Sequence, residues 1–99
     1  MNTIPSKFKC AGFEINVEFV DKIDKGTFGC FDDATNVITI AKNVLTDNGL
    51  VELSERQITN TFLHELCHVF QWYSGKDFDE TVANIFANFI LEYTETKTI

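Results

Sequence analysis

The sequence predicts an α+β fold, in which small antiparallel β-hairpins pack against a C-terminal hairpin of two helices. Hydrophobic residues alternate with polar ones over much of the first 41 residues, which is the period of half-buried strands. After residue 54 they recur at steps of three and four, which is the period of a helix. Strands followed by helices are typical of the α+β class. The 99 residues, 44% of them hydrophobic, suit a single domain spanning residues 1–99.

Two β-hairpins are predicted in the first half of the chain. In the first, residues 13–19 alternate in polarity, and Ala11-Gly12 forms the turn that leads back to residues 8–10. The second follows a break at Lys25-Gly26 and joins residues 27–31 to residues 37–41. Alternation along this last strand predicts that its two isoleucines share one face.

The first helix is predicted over residues 55–73. Ser54 followed by Gln57 matches a capping box, and Gly75 suits the C-terminal cap. Its apolar stripe comprises Ile58, Phe62, Leu66, Val69 and Tyr73. The preceding residues 43–53 contain a turn signal but do not favour one kind of element.

The second helix follows a short linker, so the two helices should form an antiparallel hairpin. Asp77 is the predicted N-cap, with Glu80 three residues later. Its apolar stripe comprises Phe78, Val82, Ile85, Phe86, Phe89 and Tyr93. We expect the stripes of both helices, including their tyrosines, to face the core.

The charge and the cysteine content limit which partners and which cellular compartment the sequence favours. The net charge of -7 and the lack of a Lys/Arg cluster argue against nucleic acid and against anionic membranes as partners. Cys10, Cys30 and Cys67 are an odd number and are interpreted as reduced thiols. The first residues lack an apolar leader segment, and the chain has no run long enough to cross a membrane. These observations predict a cytoplasmic protein.

The sequence HELCH, residues 64–68, carries the strongest functional signal. His64 and His68 project from adjacent turns of the first helix, so their ring nitrogens can converge on one Zn²⁺ at about 2.0–2.1 Å. Both lie nearly opposite the apolar stripe of that helix, which favours a site. The ordinary alternative is a partly buried histidine satisfied by one neighbour, because a bare HExxH string also occurs by chance.

A third ligand is expected from the second helix. Glu80 shares a face with Ala83 and Ala87, which are small enough to let another helix come close. Together with the two histidines, Glu80 would complete the His₂Glu set of a catalytic zinc site, with a fourth position left for water. From the sequence, Glu80 could instead be a capping-box acid. Asp77 and Asp79 are alternative ligands.

These residues resemble a known family. HELCH, followed by ETVANIFA at residues 80–87, is similar to the small HExxH metallopeptidase domains related to the ImmA/IrrE family, including compact phage and bacterial versions. The resemblance covers mainly residues 61–90, and the segment 26–40 resembles the glycine-led hairpin that precedes the zinc helix in such domains. It implies a minimal zincin, with His64, His68 and Glu80 as zinc ligands and Glu65 as general base.

The predicted activity is hydrolysis of peptide bonds in a peptide or protein substrate. Glu65 would take a proton from a zinc-activated water and pass it to the leaving amine. The strand at residues 37–41 is an expected binding edge for an extended substrate. The main alternative is a zinc-containing interaction or regulatory module that does not cleave. A metal-free α+β protein is the third alternative.

Overall fold

A computed structural model describes residues 4–99, and its elements follow the predicted α+β order. The strands are β1 (Lys7–Cys10), β2 (Phe13–Val20), β3 (Gly29–Asp32), β4 (Val37–Ala41), β5 (Asn43–Thr46) and β6 (Gly49–Glu52); the helices are α1 (Glu55–Tyr73) and α2 (Glu80–Thr96). Both predicted hairpins are present. A third hairpin, β5–β6, occupies the segment that the sequence left unassigned.

The main sheet is mixed, whereas the sequence predicted antiparallel hairpins only. Its strand order is β1-β2-β4-β3, and β2 and β4 run parallel to each other. The chain between β2 and β3 crosses to the far side of β4. The second hairpin therefore pairs with the first through β4, its second strand. β4 is therefore hydrogen-bonded on both sides, and the expectation that residues 37–41 form a binding edge is wrong. The sheet edge on that side is β3.

One face of this sheet packs against α1 and forms the core. Ile15, Ile38 and Ile40 are fully buried, and they cluster with Phe62 and Val69 of α1. The two isoleucines of β4 share the core face, as the alternation predicted. The layers are therefore the sheet, then α1, with α2 packed mainly on α1. Neither helix of residues 4–99 has the length and apolar composition needed to cross a bilayer.

The start of α1 is as predicted, but the start of α2 is not. Ser54 and Gln57 form both bonds of a capping box. The N-cap of α2 is Asp79, whose side chain accepts a hydrogen bond from the Val82 N–H at 3.0 Å, so the prediction of Asp77 as N-cap is wrong. Glu80 is then the first helical residue, and its carboxylate is free of the capping-box role.

The alanine face of α2 packs on α1 as predicted, but the larger apolar stripe of this helix is not buried. Its buried residues are Ala83, Ala87 and Leu91, which face α1. Four residues of the predicted core stripe are between 48% and 65% exposed: Val82, Ile85, Phe89 and Tyr93. Tyr73 of α1 is 58% exposed as well, so the expectation that both tyrosines lie in the core is wrong. Small side chains let α2 approach α1 closely, and this turns the larger apolar residues outward.

Candidate metal centre

The structure brings His64, His68 and Glu80 together. The Nε2 atom of His64 lies 2.8 Å from Glu80 Oε1, and the Nε2 atom of His68 lies 3.0 Å from Glu80 Oε2. The two Nε2 atoms are 3.1 Å apart. Each residue thus offers one ligand atom, and these atoms all lie within 4.8 Å of one another. Asp79, an alternative ligand in the sequence, serves as the N-cap of α2.

The three residues fit a tetrahedral zinc site in the chemistry of their donor atoms, and these atoms are grouped at one point of the structure. Ligand atoms about 2.0–2.1 Å from Zn²⁺ at tetrahedral angles are about 3.3 Å apart. The two Nε2 atoms are 3.1 Å apart, and each lies 2.8–3.0 Å from a different oxygen of Glu80. With one ligand atom from each residue, the three atoms lie within 4.8 Å of one another, so small side-chain adjustments would bring them to zinc-binding distances. The ordinary alternative is an ion pair, in which protonated histidines donate hydrogen bonds to Glu80. Two unprotonated Nε2 atoms facing each other need a cation or a proton between them.

Contacts along the helix pair explain how Glu80 reaches both histidines. Asn60 of α1 donates a hydrogen bond to Asn88 of α2, at 3.0 Å between Nδ2 and Oδ1. Further from the interhelical turn, Arg56 forms two hydrogen bonds with Glu95. The hairpin is therefore antiparallel, as predicted, and Glu80 stands at the end of α2 nearest the turn. Its two carboxylate oxygens lie beside His68 and, one helical turn further along α1, beside His64.

Gln71 orients His68 and was not predicted as a site residue. His68 is only 3% exposed, and its Nδ1 atom lies 2.8 Å from Gln71 Oε1. Because an amide oxygen only accepts, Nδ1 carries the proton; in the neutral ring Nε2 is then the nitrogen whose lone pair points towards the cluster. The Asp79 backbone supports this amide orientation, since its N–H donates to Gln71 Oε1 at 3.2 Å. The available sequence signal was a glutamine three residues after His68, on the histidine side of α1.

An aromatic ring covers the other side of His68. Phe78 stacks on the imidazole with ring centroids 4.8 Å apart and an interplanar angle of 27°. Phe78 also contacts Phe31 at the end of β3, with 6.1 Å between the centroids. The His68 ring is therefore held by Gln71 at its edge and by Phe78 on its face.

Glu65 borders the cluster from a buried position. It is 5% exposed, and burial raises the pKa of its carboxyl group, although His64 and His68 act in the opposite direction. Glu80 adds to the rise because it is a nearby negative charge. For Glu80 itself, burial also favours a higher pKa, but hydrogen bonding and charge from the two histidines outweigh it and lower that pKa. The pKa of Glu65 is thus raised and the pKa of Glu80 is lowered, so Glu80 loses its proton at a lower pH than Glu65.

Close approach of β3 to α1 is allowed by Gly29. A Cβ atom at this position would lie 2.6 Å from Thr61 Cγ2 and 3.0 Å from the Thr39 carbonyl oxygen. The Glu65 Cγ atom would be 3.5 Å away. Glycine in a strand often marks such an approach. The absence of a side chain here lets the edge strand lie directly over the part of α1 that carries Glu65.

The cluster opens into a cleft of about 780 Å³ between β3 and the first turns of α2. Polar residues line one part of it, including Arg56, Asn60 and Asn88. Phe31 and Phe78 line another part, beside His68. The cleft therefore gives a solvent-borne molecule access to all three candidate ligands.

Comparisons of this chain with protein-family models, with curated proteins and with solved structures find no match. The residues and the geometry of this site are therefore the basis for inferring its function.

Proposed function

We propose that this protein is a zinc-dependent metallopeptidase, with His64, His68 and Glu80 as ligands and Glu65 as general base. The observation that carries the proposal is the convergence of these three ligand atoms beside a buried glutamate in an open cleft. An HExxH helix with a glutamate from a second helix is the ligand pattern of His₂Glu hydrolytic zinc sites. A metal-free ion pair of the histidines with Glu80 would account for the contacts among these three residues, but not for the buried glutamate and the open cleft beside them.

The chain's own residues supply the proton transfers of hydrolysis. When bound, zinc acts as a Lewis acid towards the substrate carbonyl and brings the pKa of water towards about 7. Glu65 accepts a proton from the attacking water and donates it to the leaving amine. A carboxyl group whose pKa is raised by burial suits both transfers, because a catalytic group works best when its pKa is near the operating pH. Gln71 and Phe78 hold His68 in place throughout.

A peptide or protein is the substrate class that the cleft favours. β3 is an edge strand along this cleft, so its backbone groups can pair with an extended peptide. It takes the role that the sequence had given to β4. The net charge of -7 gives no support for binding to nucleic acid or to anionic membranes. All three cysteines are free, which favours a reducing compartment such as the cytoplasm.

The test combines metal content with cleavage. We expect about one zinc per chain, and loss of it in the double variant His64→Ala/His68→Ala, because two of three protein ligands are removed. Unchanged metal content in that variant would end the zinc assignment.

Glu65→Gln separates an enzyme from a zinc-binding interaction module. The substitution keeps the size of the side chain but removes its ability to accept a proton. At equal zinc occupancy, we expect cleavage of a mixed peptide library to fall by about 10²–10⁴ relative to the wild type. Undiminished cleavage by the variant would refute Glu65 as general base. Zinc binding without cleavage by the wild type would favour the interaction module instead.

A further inference from the structure

The outward face of α2 carries large apolar side chains along most of the helix. The exposed fractions are 48% for Val82, 64% for Ile85, 65% for Phe89 and 59% for Tyr93. At 100° per residue these four fall within an arc of about 80°, on the side opposite the buried alanines. We call these four residues the α2 stripe. It is separate from the candidate metal centre, whose cleft is lined on α2 by Glu80, Asn84 and Asn88.

The size of the α2 stripe matches half of a small interface. A phenylalanine or tyrosine side chain offers about 150–250 Å² of surface, so the four exposed fractions leave on the order of 400–500 Å² in the stripe. Patches of about this size on a monomer are often functional. Two such stripes in contact would bury about 800–1,000 Å², which is near the lower limit of about 1,000 Å² for a specific interface. The expected association is therefore weak and reversible.

We propose that the α2 stripe is the interface of a two-fold symmetric homodimer, in which α2 packs antiparallel against α2 of a second copy. Steps of three and four over three turns are the spacing that allows two helices to interlock along a seam. A two-fold axis presents the same stripe from both copies, so apolar side chains meet apolar side chains. This interface contains none of the candidate zinc ligands, so it does not depend on the proposed peptidase activity.

Charge at the two ends of α2 favours the antiparallel arrangement. The start of α2 carries Asp77, Asp79 and Glu80. The other end carries Glu92, Glu95 and Lys97, and Glu95 is paired with Arg56, so this end is the less acidic of the two. Lys97 follows the last turn, with Nζ 6.0 Å from the centre of the Tyr93 ring. When Val82 of one copy faces Tyr93 of the other, Lys97 lies next to the two aspartates of the second copy. A parallel pair would instead bring the acidic ends of the two helices together. Antiparallel helices also oppose their macrodipoles favourably.

A homodimer of this kind leaves both clefts open. Asn84 and Asn88, which line the cleft, project about 100–140° away from the centre of the α2 stripe. Zinc binding and dimerisation should therefore be separable by mutation.

The test is the mass of the full-length chain in solution, measured by analytical ultracentrifugation from about 1 to 300 µM, the range for a weak interface. The wild type should move from the chain mass of 11.3 kDa towards twice that mass. Phe89→Glu places a charge in the middle of the stripe on both copies and should weaken the dimer at least about 100-fold. Leu50→Glu is the matched control, since Leu50 is a 54% exposed apolar residue of β6 outside the stripe. This control should dimerise like the wild type.

Mixing of charge variants identifies the second copy as the occupant. Phe89→Glu and Phe89→Lys should each be monomeric alone and should associate when mixed, because opposite charges then meet across the two-fold axis. If Phe89→Glu unfolds, as judged by circular dichroism, Val82→Glu provides the same test at the start of the stripe. A wild type that stays monomeric over the whole range would overturn the proposal. A dimer that resists both substitutions in the stripe would overturn it too, since another surface would then hold the copies together.

Discussion

Gln71→Leu tests whether the interhelical glutamine controls the geometry of the candidate metal centre. The leucine keeps most of the buried volume but removes the acceptor that faces His68 Nδ1 at 2.8 Å and the Asp79 N–H at 3.2 Å. It also removes a longer hydrogen bond, at 3.4 Å, from the Gln71 amide to the Asp79 carbonyl oxygen. Both the His68 ring and the residue before Glu80 would lose their support.

The expected magnitudes follow from burial. His68 is 3% exposed, so its Nδ1–H would have no water to replace the lost acceptor, at a cost of about 1–3 kcal/mol in unfolding free energy. Asp79 is exposed, so water can replace the acceptor that its N–H loses. The lost hydrogen bond to Asp79 should therefore add little to the cost in unfolding free energy at His68. Loss of a partner that orients a metal-bound histidine typically lowers metal affinity about 10–100-fold. We expect a fall of that size for zinc.

Two assays and two controls separate these effects. Zinc affinity is measured by competition with a chromophoric chelator, and stability by urea unfolding in the presence of EDTA. Gln71→Glu keeps both acceptor contacts and should retain zinc affinity. Asn88→Ala breaks the cross-helix hydrogen bond to Asn60 and should leave zinc affinity unchanged. Wild-type affinity in Gln71→Leu, or equal losses in Gln71→Leu and Asn88→Ala, would refute the orienting role of Gln71.

Three further predictions address other parts of the site. Glu80→Gln should lower zinc affinity while α2 keeps its start, because Asp79 is the N-cap; reduced helix stability with unchanged affinity would contradict this. Gly29→Ala should lower the free energy of unfolding, measured with urea, by about 1–3 kcal/mol, because the new Cβ would meet Thr61 Cγ2. Adding Thr61→Ser removes that methyl group and should recover part of the loss. Equal losses with and without Thr61→Ser would contradict the proposed contact. In metal-free protein, Glu65→Gln should be more stable than the wild type at neutral pH. Burial raises the pKa of Glu65, so the folded state holds its proton more tightly, and wild-type stability falls as pH rises through that pKa. The advantage of the variant should disappear below the unfolded-state pKa, and an unchanged difference at pH 4 and pH 7 would contradict the prediction.

The sequence by itself determined the features that depend on neighbours along the chain. Residues 55–73 form the predicted helix because its apolar spacing and the Ser54 capping box are both local signals. The Ala11-Gly12 turn closes the first hairpin because both residues adopt positive φ angles, 53° and 83°, which suit a tight turn. The 3.6-residue period alone places His64 and His68 on one side of α1.

Tertiary structure decided the features that depend on distant partners. Parallel pairing of β2 with β4 made the expected binding strand an interior one, since no local signal states which strands become neighbours. The sequence predicted the face of α2 that approaches α1, but burial of the larger apolar stripe was mispredicted, because periodicity identifies a stripe and not whether a partner covers it. Ala83 and Ala87 provide that face, and their approach brings Glu80 to the histidines and turns Phe89 towards solvent. The amide of Gln71 can fix the orientation of His68 because this packing also places the Asp79 N–H within hydrogen-bonding distance of it.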